Sequence, residues 1–377
     1  MQRRHFLTGS LLSLAAILFD RQAGANPNPA ASDRASGWAN GWLTGYGTAD
    51  GTYGMALIDQ TLTVQELQPT GYRLHDIIRH PAGQEICMPA RRPGSHFIIL
   101  NGQKSPMVVA AAAGRHFYGH GVYSTDGRYL YLTENDYAGR RGVIGIYAVA
   151  AGYKRLGEMP SGGIGPHEIL LHGDGRHLIV ANGGIATHPA SGRAKLNLDT
   201  MVPNLALINI TSGKRAAKTE LARGMNNLSI RHMARTPDDD ILFGLQDQYP
   251  GLDEFPLVGR WQPGSEARFL TAPAAGWQRL NGYVGSLKTD SSGSIIAAVS
   301  PKGGTAVFWQ RESGAAIAQF NGPDICGVAA TTVPGQFLIT SGMGALTRVN
   351  AGPADIHVVA RARADLRFDN HCLACLS

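Results

Sequence analysis

The chain has 377 residues and a formal net charge of +6, with 44% hydrophobic and 16% charged residues. This composition argues against disorder, because the apolar fraction is ordinary, and against a helical bundle, because charged residues are few and the 48 glycines are many. A glycine-rich, charge-poor chain of this kind favours an all-β fold of short strands joined by tight turns.

Residues 1–25 have the parts of a secretory signal peptide: a basic start, a short apolar run and a small-x-small cleavage site. The motif RRHFL, starting at Arg3, resembles a twin-arginine signal, the bacterial route that exports folded proteins. An ordinary secretory signal with a chance arginine pair is the alternative. Both predict export, and we expect a periplasmic protein. Residues 26–37 are rich in Pro, Ala, Ser and Asn and are predicted to form a flexible leader.

The remaining chain has no run that approaches 18 consecutive apolar residues, so no membrane span is predicted after removal of the signal. Its basic residues form no long run and the net charge is modest, which disfavours nucleic-acid binding.

One sequence unit recurs along residues 38–377. The clearest copies are GHGVYSTDGRYLYLTEND from Gly119 and PHEILLHGDGRHLIVANGG from Pro166. Each has Asp-Gly-Arg between two apolar runs, which is a strong hairpin signal. Weaker copies start at His75, Ile230, Tyr283 and Ile325, and a truncated copy starts at Asn370. Four strands in roughly 45 residues are typical of one blade of a β-propeller.

The repeats predict a seven-bladed β-propeller. Six full units account for six blades, and the last blade is closed by N- and C-terminal strands. The first segment would supply three strands (from Asn40, Thr52 and Leu62), and the C-terminus the fourth. This closure removes free sheet edges that would otherwise invite aggregation. A pair of β-sandwiches, or a ring of six or eight blades, is the alternative.

Polar residues recur at one position of the repeat. In a blade, the first strand lines the central channel, and its start lies on the same face as the end of the second strand. First-strand starts supply His75, Asp76, His120, His167, Glu168, Arg231, His232 and His371. Second-strand ends supply Arg91, Arg92, Glu134, Asn135, Asp136, Asn182 and Gln246. We therefore expect these side chains to surround one mouth of the channel.

Imidazole and carboxylate groups together suit a transition metal such as iron, copper or zinc, and also suit general acid–base catalysis. The predicted metal ligands are His75, His120, His167, Glu168, His232 and His371. The residues predicted to bind a ligand are Asp76, Arg231, Glu134, Asn135, Asp136 and Asn182. Arg231 would pair with a carboxylate or hold an anion. The alternative is that these groups only hydrogen-bond loops and channel water.

The cysteines give a weaker signal. Cys87, Cys326, Cys372 and Cys375 could form up to two disulfides in an exported protein, with a connectivity that the sequence leaves open. Cys326 and Cys372 begin neighbouring inner strands and could approach each other or join the polar residues at the channel mouth. The chain has no CxxCH haem attachment motif, no GxSxG motif and no phosphate-binding loop. An insertion around His188–Asp199 is a possible lid or a plain surface excursion.

The segments GHGVYSTDGRYLYLTENDY, GIGPHEILLHGDGRHLIVANGGIATHP, SIRHMA and NHC resemble a family of uncharacterised bacterial exported β-propeller proteins. Members often carry a twin-arginine signal and are commonly encoded beside imelysin-like and di-haem-peroxidase-like proteins. The resemblance implies a role in periplasmic iron acquisition. More distantly, PHEILLHGDGRHLIVAN resembles the blades of lactonase-type and quinoprotein-like propellers, a similarity of construction only.

Three functions follow as hypotheses. The first is a periplasmic accessory protein of iron uptake that binds a metal or metal complex and works with other iron-uptake proteins. The second is an enzyme, a lactonase-like hydrolase or a metal-dependent oxidoreductase that uses the same mouth for a small molecule. The third is a protein-interaction platform.

Overall fold

The computed structural model describes residue 38 and residues 40–375, except residues 84, 103–104, 250–254 and 353–354. The predicted signal peptide (1–25) and leader (26–37) lie outside the described residues.

Apart from three single-turn 3₁₀ helices at Val149–Ala151, Pro189–Ser191 and Leu198–Thr200, the described residues form strands and one short α-helix. In chain order they are Gly41–Gly47 (β1), Tyr53–Asp59 (β2), Val64–Pro69 (β3), Ile78–Arg79 (β4), Ile86–Pro89 (β5), His96–Leu100 (β6), Met107–Ala110 (β7), Arg115–Tyr123 (β8), Tyr129–Asp136 (β9), Arg141–Ala148 (β10), Lys154–Pro160 (β11), Pro166–Leu171 (β12), His177–Asn182 (β13), Asn204–Asn209 (β14), Arg215–Glu220 (β15), Leu228–Arg235 (β16), Ile241–Asp247 (β17), Val258–Trp261 (β18), Arg268–Phe269 (β19), Ala274–Arg279 (α1), Ser286–Thr289 (β20), Ile295–Ser300 (β21), Thr305–Gln310 (β22), Ala316–Asn321 (β23), Ile325–Ala330 (β24), Gln336–Ser341 (β25), Ala345–Ala351 (β26), Ile356–Arg363 (β27) and Arg367–Cys375 (β28).

These strands form seven four-stranded antiparallel sheets, which are the blades of a seven-bladed β-propeller. Blades 1 to 6 are β4–β7, β8–β11, β12–β15, β16–β19, β20–β23 and β24–β27. Blade 7 has the order β28-β1-β2-β3, so it combines one C-terminal strand with three N-terminal strands. The predicted all-β fold, the number of blades and the closure of the last blade are confirmed.

The hydrophobic core lies largely between neighbouring blades. In one cluster, Tyr131 and Ile144 of blade 2 pack with Ile169, Leu178 and Val180 of blade 3. Each of these five side chains is buried. Alternate residues of a strand point to opposite faces of its sheet, so a blade between two neighbours buries both faces.

The Asp-Gly turns form as predicted. The Asp126 carboxylate accepts a hydrogen bond from the backbone N–H of Arg128 at 3.0 Å, and Asp174 accepts one from Arg176 at 2.8 Å. These contacts hold the hairpin turns between β8 and β9 and between β12 and β13. The first and last described strands also meet as predicted, since the Asn40 N–H donates to the Cys375 carbonyl at 2.8 Å. No helix within the described residues has the length and apolarity needed to cross a membrane.

Candidate metal centre

Five histidines meet where the inner strands of five blades approach one another. We call them the histidine cluster: His75, His120, His167, His232 and His371, from blades 1, 2, 3, 4 and 7. At most 8% of each residue is exposed. Histidines that recur at similar positions of the repeat thus lie close together in the folded protein.

His120 lies at the centre of the cluster. Its ring centroid is 4.8 Å from that of His75, 4.7 Å from His167, 5.8 Å from His232 and 4.7 Å from His371. Potential ligand nitrogens of His75, His120 and His167 lie within 4.8 Å of one another, and so do those of His120, His232 and His371. Both groups could hold a metal ion, and they share His120.

Irregular strand pairing places four of these histidines. The pairing of β8 with β9 shifts between Phe117 and Gly121, around His120. Similar shifts occur in β12 around His167, in β16 around His232 and in β28 around His371. An extra residue in one strand bends the strand and redirects its side chains. His120, His232 and His371 consequently lie inside their strands, not at the strand starts that the repeat predicts.

Gly119 allows His75 to approach His120. Its φ is +109°, a conformation that side-chain-bearing residues rarely adopt. A Cβ at this position would lie 2.6 Å from Cδ2 of His75. The glycine therefore leaves the space that the His75 ring occupies.

Two carboxylates orient two of the imidazoles. Asp76 Oδ2 lies 3.1 Å from Nδ1 of His120, and Glu168 Oε2 lies 3.2 Å from Nδ1 of His232. A carboxylate accepts the Nδ1–H hydrogen, which leaves the Nε2 lone pair of each ring for a metal. Glu168 also accepts from the Met233 N–H at 3.0 Å. Glu168, predicted as a metal ligand, thus supports a histidine, and Asp76, predicted to bind a ligand, does the same.

Burial disfavours the protonated form of four histidines of the cluster. It lowers the pKa of His75, His167 and His371 well below the ordinary value, and neighbouring cationic or imidazole groups lower it further. Burial also lowers the pKa of His232, although the hydrogen bond with Glu168 opposes this effect. For Glu168, burial would raise the pKa, but the hydrogen bond from His232 and nearby positive charge lower it overall. Neutral imidazoles beside an ionised carboxylate are the protonation states that a metal cation requires.

Several cluster nitrogens have no protein partner. Within the described residues, buried Nδ1 of His75, Nε2 of His120, Nδ1 of His167 and Nε2 of His371 form no hydrogen bond. Buried polar atoms are normally satisfied, so four such atoms in one place indicate a missing partner such as a metal or water.

Four further residues predicted to bind a ligand, Glu134, Asn135, Asp136 and Asn182, have partners within the fold. Glu134 accepts from the Tyr147 hydroxyl at 2.6 Å and from Arg155 at 2.7 Å, beneath the surface of blade 2. Asp136 pairs with two arginines, Asn135 donates to the Thr187 carbonyl, and Asn182 bonds Ser161 and Asn204. These four side chains are thus engaged in holding the blades and loops.

A pocket opens onto the cluster. Its lining includes His75, His167 and His232, together with Arg91, Arg92, Tyr118, Arg193, Arg231, Gln246, Tyr283 and Asn370. Of these, the repeat singles out Arg231, Gln246 and the Arg91-Arg92 pair, but not Tyr118, Arg193, Tyr283 or Asn370. Arg193 belongs to the insertion in blade 3, and its guanidinium donates to the Arg92 carbonyl at 3.3 Å. The insertion therefore contributes to the mouth.

The cysteines do not join the cluster. All four are buried free thiols. The Cys326 Sγ lies 3.3 Å from the Phe368 carbonyl oxygen and does not pair with Cys372. Burial raises the pKa of the Cys326 and Cys372 thiols, so both are protonated at neutral pH.

The fold and the cluster define a seven-bladed propeller with a possible metal centre where its inner strands meet. The chain belongs to the family described as "Protein of unknown function (DUF1513)", whose model matches residues 68–375. Curated protein sequences include no match. Among similar solved structures is a chain of the "Crystal Structure of Mitotic Checkpoint Complex", with a TM-score of 0.54 and 12% identity over 78% of this chain and 82% of that chain. At that identity the likeness shows the fold alone.

Proposed function

We propose that this protein is a periplasmic metal-binding accessory protein of iron uptake, and that the histidine cluster binds one transition-metal ion. The convergence of five buried histidines carries this proposal, since the shared His120 joins both donor groups. Imidazole nitrogen suits iron, copper and zinc.

The charges near the cluster favour a divalent cation. Asp76 and Glu168 each contact one histidine through Nδ1, and Glu168 is ionised and buried. The ionised Glu168 carboxylate beside the cluster would offset part of the 2+ charge of the ion, which lowers the free-energy cost of burying it. Binding would draw the ligand nitrogens together, because a metal lies about 2.0–2.1 Å from each imidazole nitrogen.

Support for iron and for the periplasm comes from the sequence. The RRHFL motif predicts export, and the family that the chain resembles is encoded beside imelysin-like proteins. An accessory protein in this setting would bind iron that has entered the periplasm, and would either store it or transfer it to other iron-uptake proteins. The propeller is also a fold that commonly serves as an interaction platform, which suits an accessory role.

Metal binding is tested by adding Fe²⁺ under anaerobic conditions, Cu²⁺ or Zn²⁺ to chelator-treated protein. Elemental analysis gives the stoichiometry, calorimetry gives the affinity, and the melting temperature reports stabilisation of the folded state. We expect one ion per chain and a raised melting temperature. His120→Ala should abolish tight binding. Asp76→Asn and Glu168→Gln should weaken it about 10- to 100-fold, as loss of a histidine-orienting partner does.

His116→Ala is the matched control. His116 is 3% exposed, and its two ring nitrogens have no partner within the described residues, yet it belongs to neither donor group. Its substitution should leave the metal affinity unchanged. The proposal would be refuted if the protein bound none of the three metals, or if the His120→Ala variant bound them as tightly as the unmodified protein.

A second candidate function is a metal-dependent oxidoreductase or a lactonase-like hydrolase. The pocket favours it, because an open cavity reaches His75, His167 and His232 and would bring a small molecule to the metal. A substrate screen with and without chelator tests it. Activity that survives both chelation and His120→Ala would remove the cluster from the chemistry.

A further inference from the structure

Four arginines surround the pocket above the histidine cluster: Arg91, Arg92, Arg193 and Arg231. The described residues that line this pocket include no aspartate or glutamate. Among the described residues, none of the salt bridges that involve an arginine includes any of these four. Asp369, which attracts the Arg91 guanidinium, is already paired with Arg73 at 2.9 Å. The pocket thus carries concentrated positive charge that no carboxylate of its described lining offsets.

Arg231 is the most constrained of the four. Only 8% of the residue is exposed, and its buried Nε has no hydrogen-bond partner within the described chain. A buried, charged and unpaired guanidinium is costly, because it has lost water without gaining a partner.

Arg92, which also lines the pocket, likewise has a buried donor without a partner. Its Nη1 is buried and unpartnered, and its guanidinium carbon lies 5.9 Å from the centroid of the Tyr118 ring. Arg193 reaches the same wall through its bond to the Arg92 carbonyl. Guanidinium groups bind carboxylate, carbonate and phosphate oxygens through paired N–H donors.

We propose that this pocket binds a small oxyanion, and that the anion completes the coordination of the metal held by the histidine cluster. The anion site stands on its own arginines, whereas its role beside the metal rests on the proposed function. The pocket reaches both sets of residues, since His75, His167 and His232 lie in the same lining as Arg231. One oxygen of the anion would face the metal while the others bond the arginines.

The size of the pocket limits the anion. Its volume is about 60 Å³, whereas a cavity of about 150 Å³ is known to accept benzene. Phosphate, carbonate and oxalate match this space, and a chelate as large as an iron–siderophore complex does not. The shared chemistry is an anion with at least two oxygens on one centre or on adjacent carbons.

In the first experiment, metal-free protein is titrated with phosphate, carbonate, oxalate or citrate at constant ionic strength. Binding is measured by calorimetry and by the shift in melting temperature. We expect saturable 1:1 binding of phosphate, carbonate or oxalate with Kd near or below about 1 mM, and weaker binding of citrate. The anion that binds most tightly shows whether the ligand is inorganic, as phosphate and carbonate are, or a carboxylate, as oxalate is. Tighter binding of citrate would overturn the assignment to small anions.

The second experiment repeats the titration in variants. Arg231→Gln and Arg92→Gln should each weaken binding at least about tenfold, the loss expected for a charged hydrogen bond. Arg128→Gln is the control, because Arg128 lies on a distant turn with a side chain 65% exposed. Should Arg231→Gln not fold, Arg193→Gln on the rim replaces it and should also weaken binding. Unchanged affinity in the folded variants would overturn the proposal.

The third experiment separates the two proposals. Zn²⁺ is titrated with and without saturating phosphate, and phosphate with and without Zn²⁺. If the anion meets the metal, each ligand raises the affinity of the other by the same factor. Zn²⁺ binding without any anion binding would refute the anion site and leave the metal site. Anion binding without Zn²⁺, Fe²⁺ or Cu²⁺ binding would refute the proposed function and leave the anion site.

Discussion

At the scale of single residues, the cluster includes four histidines whose protonated form burial disfavours: His75, His167, His232 and His371. The bonds of Asp76 to His120 and of Glu168 to His232 direct one nitrogen of each ring to its carboxylate. His75 and His167 have a buried nitrogen without a protein partner. A protonated imidazole has no lone pair for a metal, so the same burial that is costly for the charged form prepares the cluster for a cation.

This neutrality predicts how stability depends on pH. The folded-state pKa values of His75, His167, His232 and His371 lie below the ordinary histidine value of 6.5. Below about pH 6.5 the unfolded chain takes up protons that the folded protein does not, so the free energy of unfolding falls as pH falls. We expect metal-free protein to melt at a clearly lower temperature at pH 5.0 than at pH 7.5.

Two variants make the pH experiment specific. His167→Gln removes one of these groups and should flatten the dependence by up to about 1.4 kcal/mol per pH unit. His357→Gln changes a residue whose side chain is 72% exposed and should leave the dependence parallel to the unmodified protein. Melting temperatures that are equal at both pH values would contradict the prediction.

The sequence was informative at this scale for histidine and less so for its neighbours. The recurrence of His75, His120, His167, His232 and His371 in the repeat predicts their convergence, because equivalent positions of propeller blades face one axis. It does not distinguish Glu168, which supports His232, from a ligand. Nor does it show that Glu134 bonds Tyr147 and Arg155, since those partners come from other strands.

At the scale of strands, irregular pairing decides where the histidines point. A regular strand alternates its side chains between two faces. The shifts in β8, β12, β16 and β28 each break this alternation beside a cluster histidine. The hairpins were predictable from Asp-Gly turns, but these shifts depend on contacts between strands and have no comparable local signal. Gly119 and Gly121, which flank His120, are the one hint in the sequence.

Gly119→Ala tests the strand-level argument. The added Cβ would lie 2.6 Å from the His75 ring, and alanine tolerates φ of +109° poorly. We expect a loss of about 1–3 kcal/mol in the free energy of unfolding and a lower metal affinity, since His75 must move. Denaturant titration and calorimetry measure the two effects.

Gly157→Ala is the control for this variant. Gly157 lies in β11 of the same blade, and an added Cβ there would meet no atom within 4 Å. It should leave the metal affinity unchanged and the stability nearly so. A Gly119→Ala protein that binds metal as Gly157→Ala does would show that His75 has no part in binding.

At the scale of the whole molecule, the ring is closed by one strand, and that strand also carries a cluster histidine. β28 pairs with β1 from Gly41 opposite Cys375 to Gly47 opposite Arg367. His371 lies within β28, so the strand that closes the ring also completes the histidine cluster. The repeat count predicted this closure because six units and two partial ones add to seven blades. An open ring would be unfavourable because it would leave the edge of β1 unpaired and would expose side chains that neighbouring blades otherwise bury.

A circular permutant and a truncation test this closure together. Joining residues 375 and 38 with a short Gly-Ser linker, and opening the chain between Gly71 and Tyr72, keeps all seven blades intact. The ends are adjacent, because the Asn40 N–H donates to the Cys375 carbonyl at 2.8 Å, so the linker only turns a hairpin. The permutant should melt cooperatively within a few degrees of the original chain and bind metal with the same affinity.

Deletion of residues 365–377 should instead abolish cooperative melting, since it exposes β1 and leaves the inner faces of blades 6 and 1 uncovered. Circular dichroism melting and size-exclusion chromatography distinguish these outcomes. A truncated protein that melts like the permutant would mean that the ring does not depend on β28, and the loss of metal binding there would then measure His371 alone.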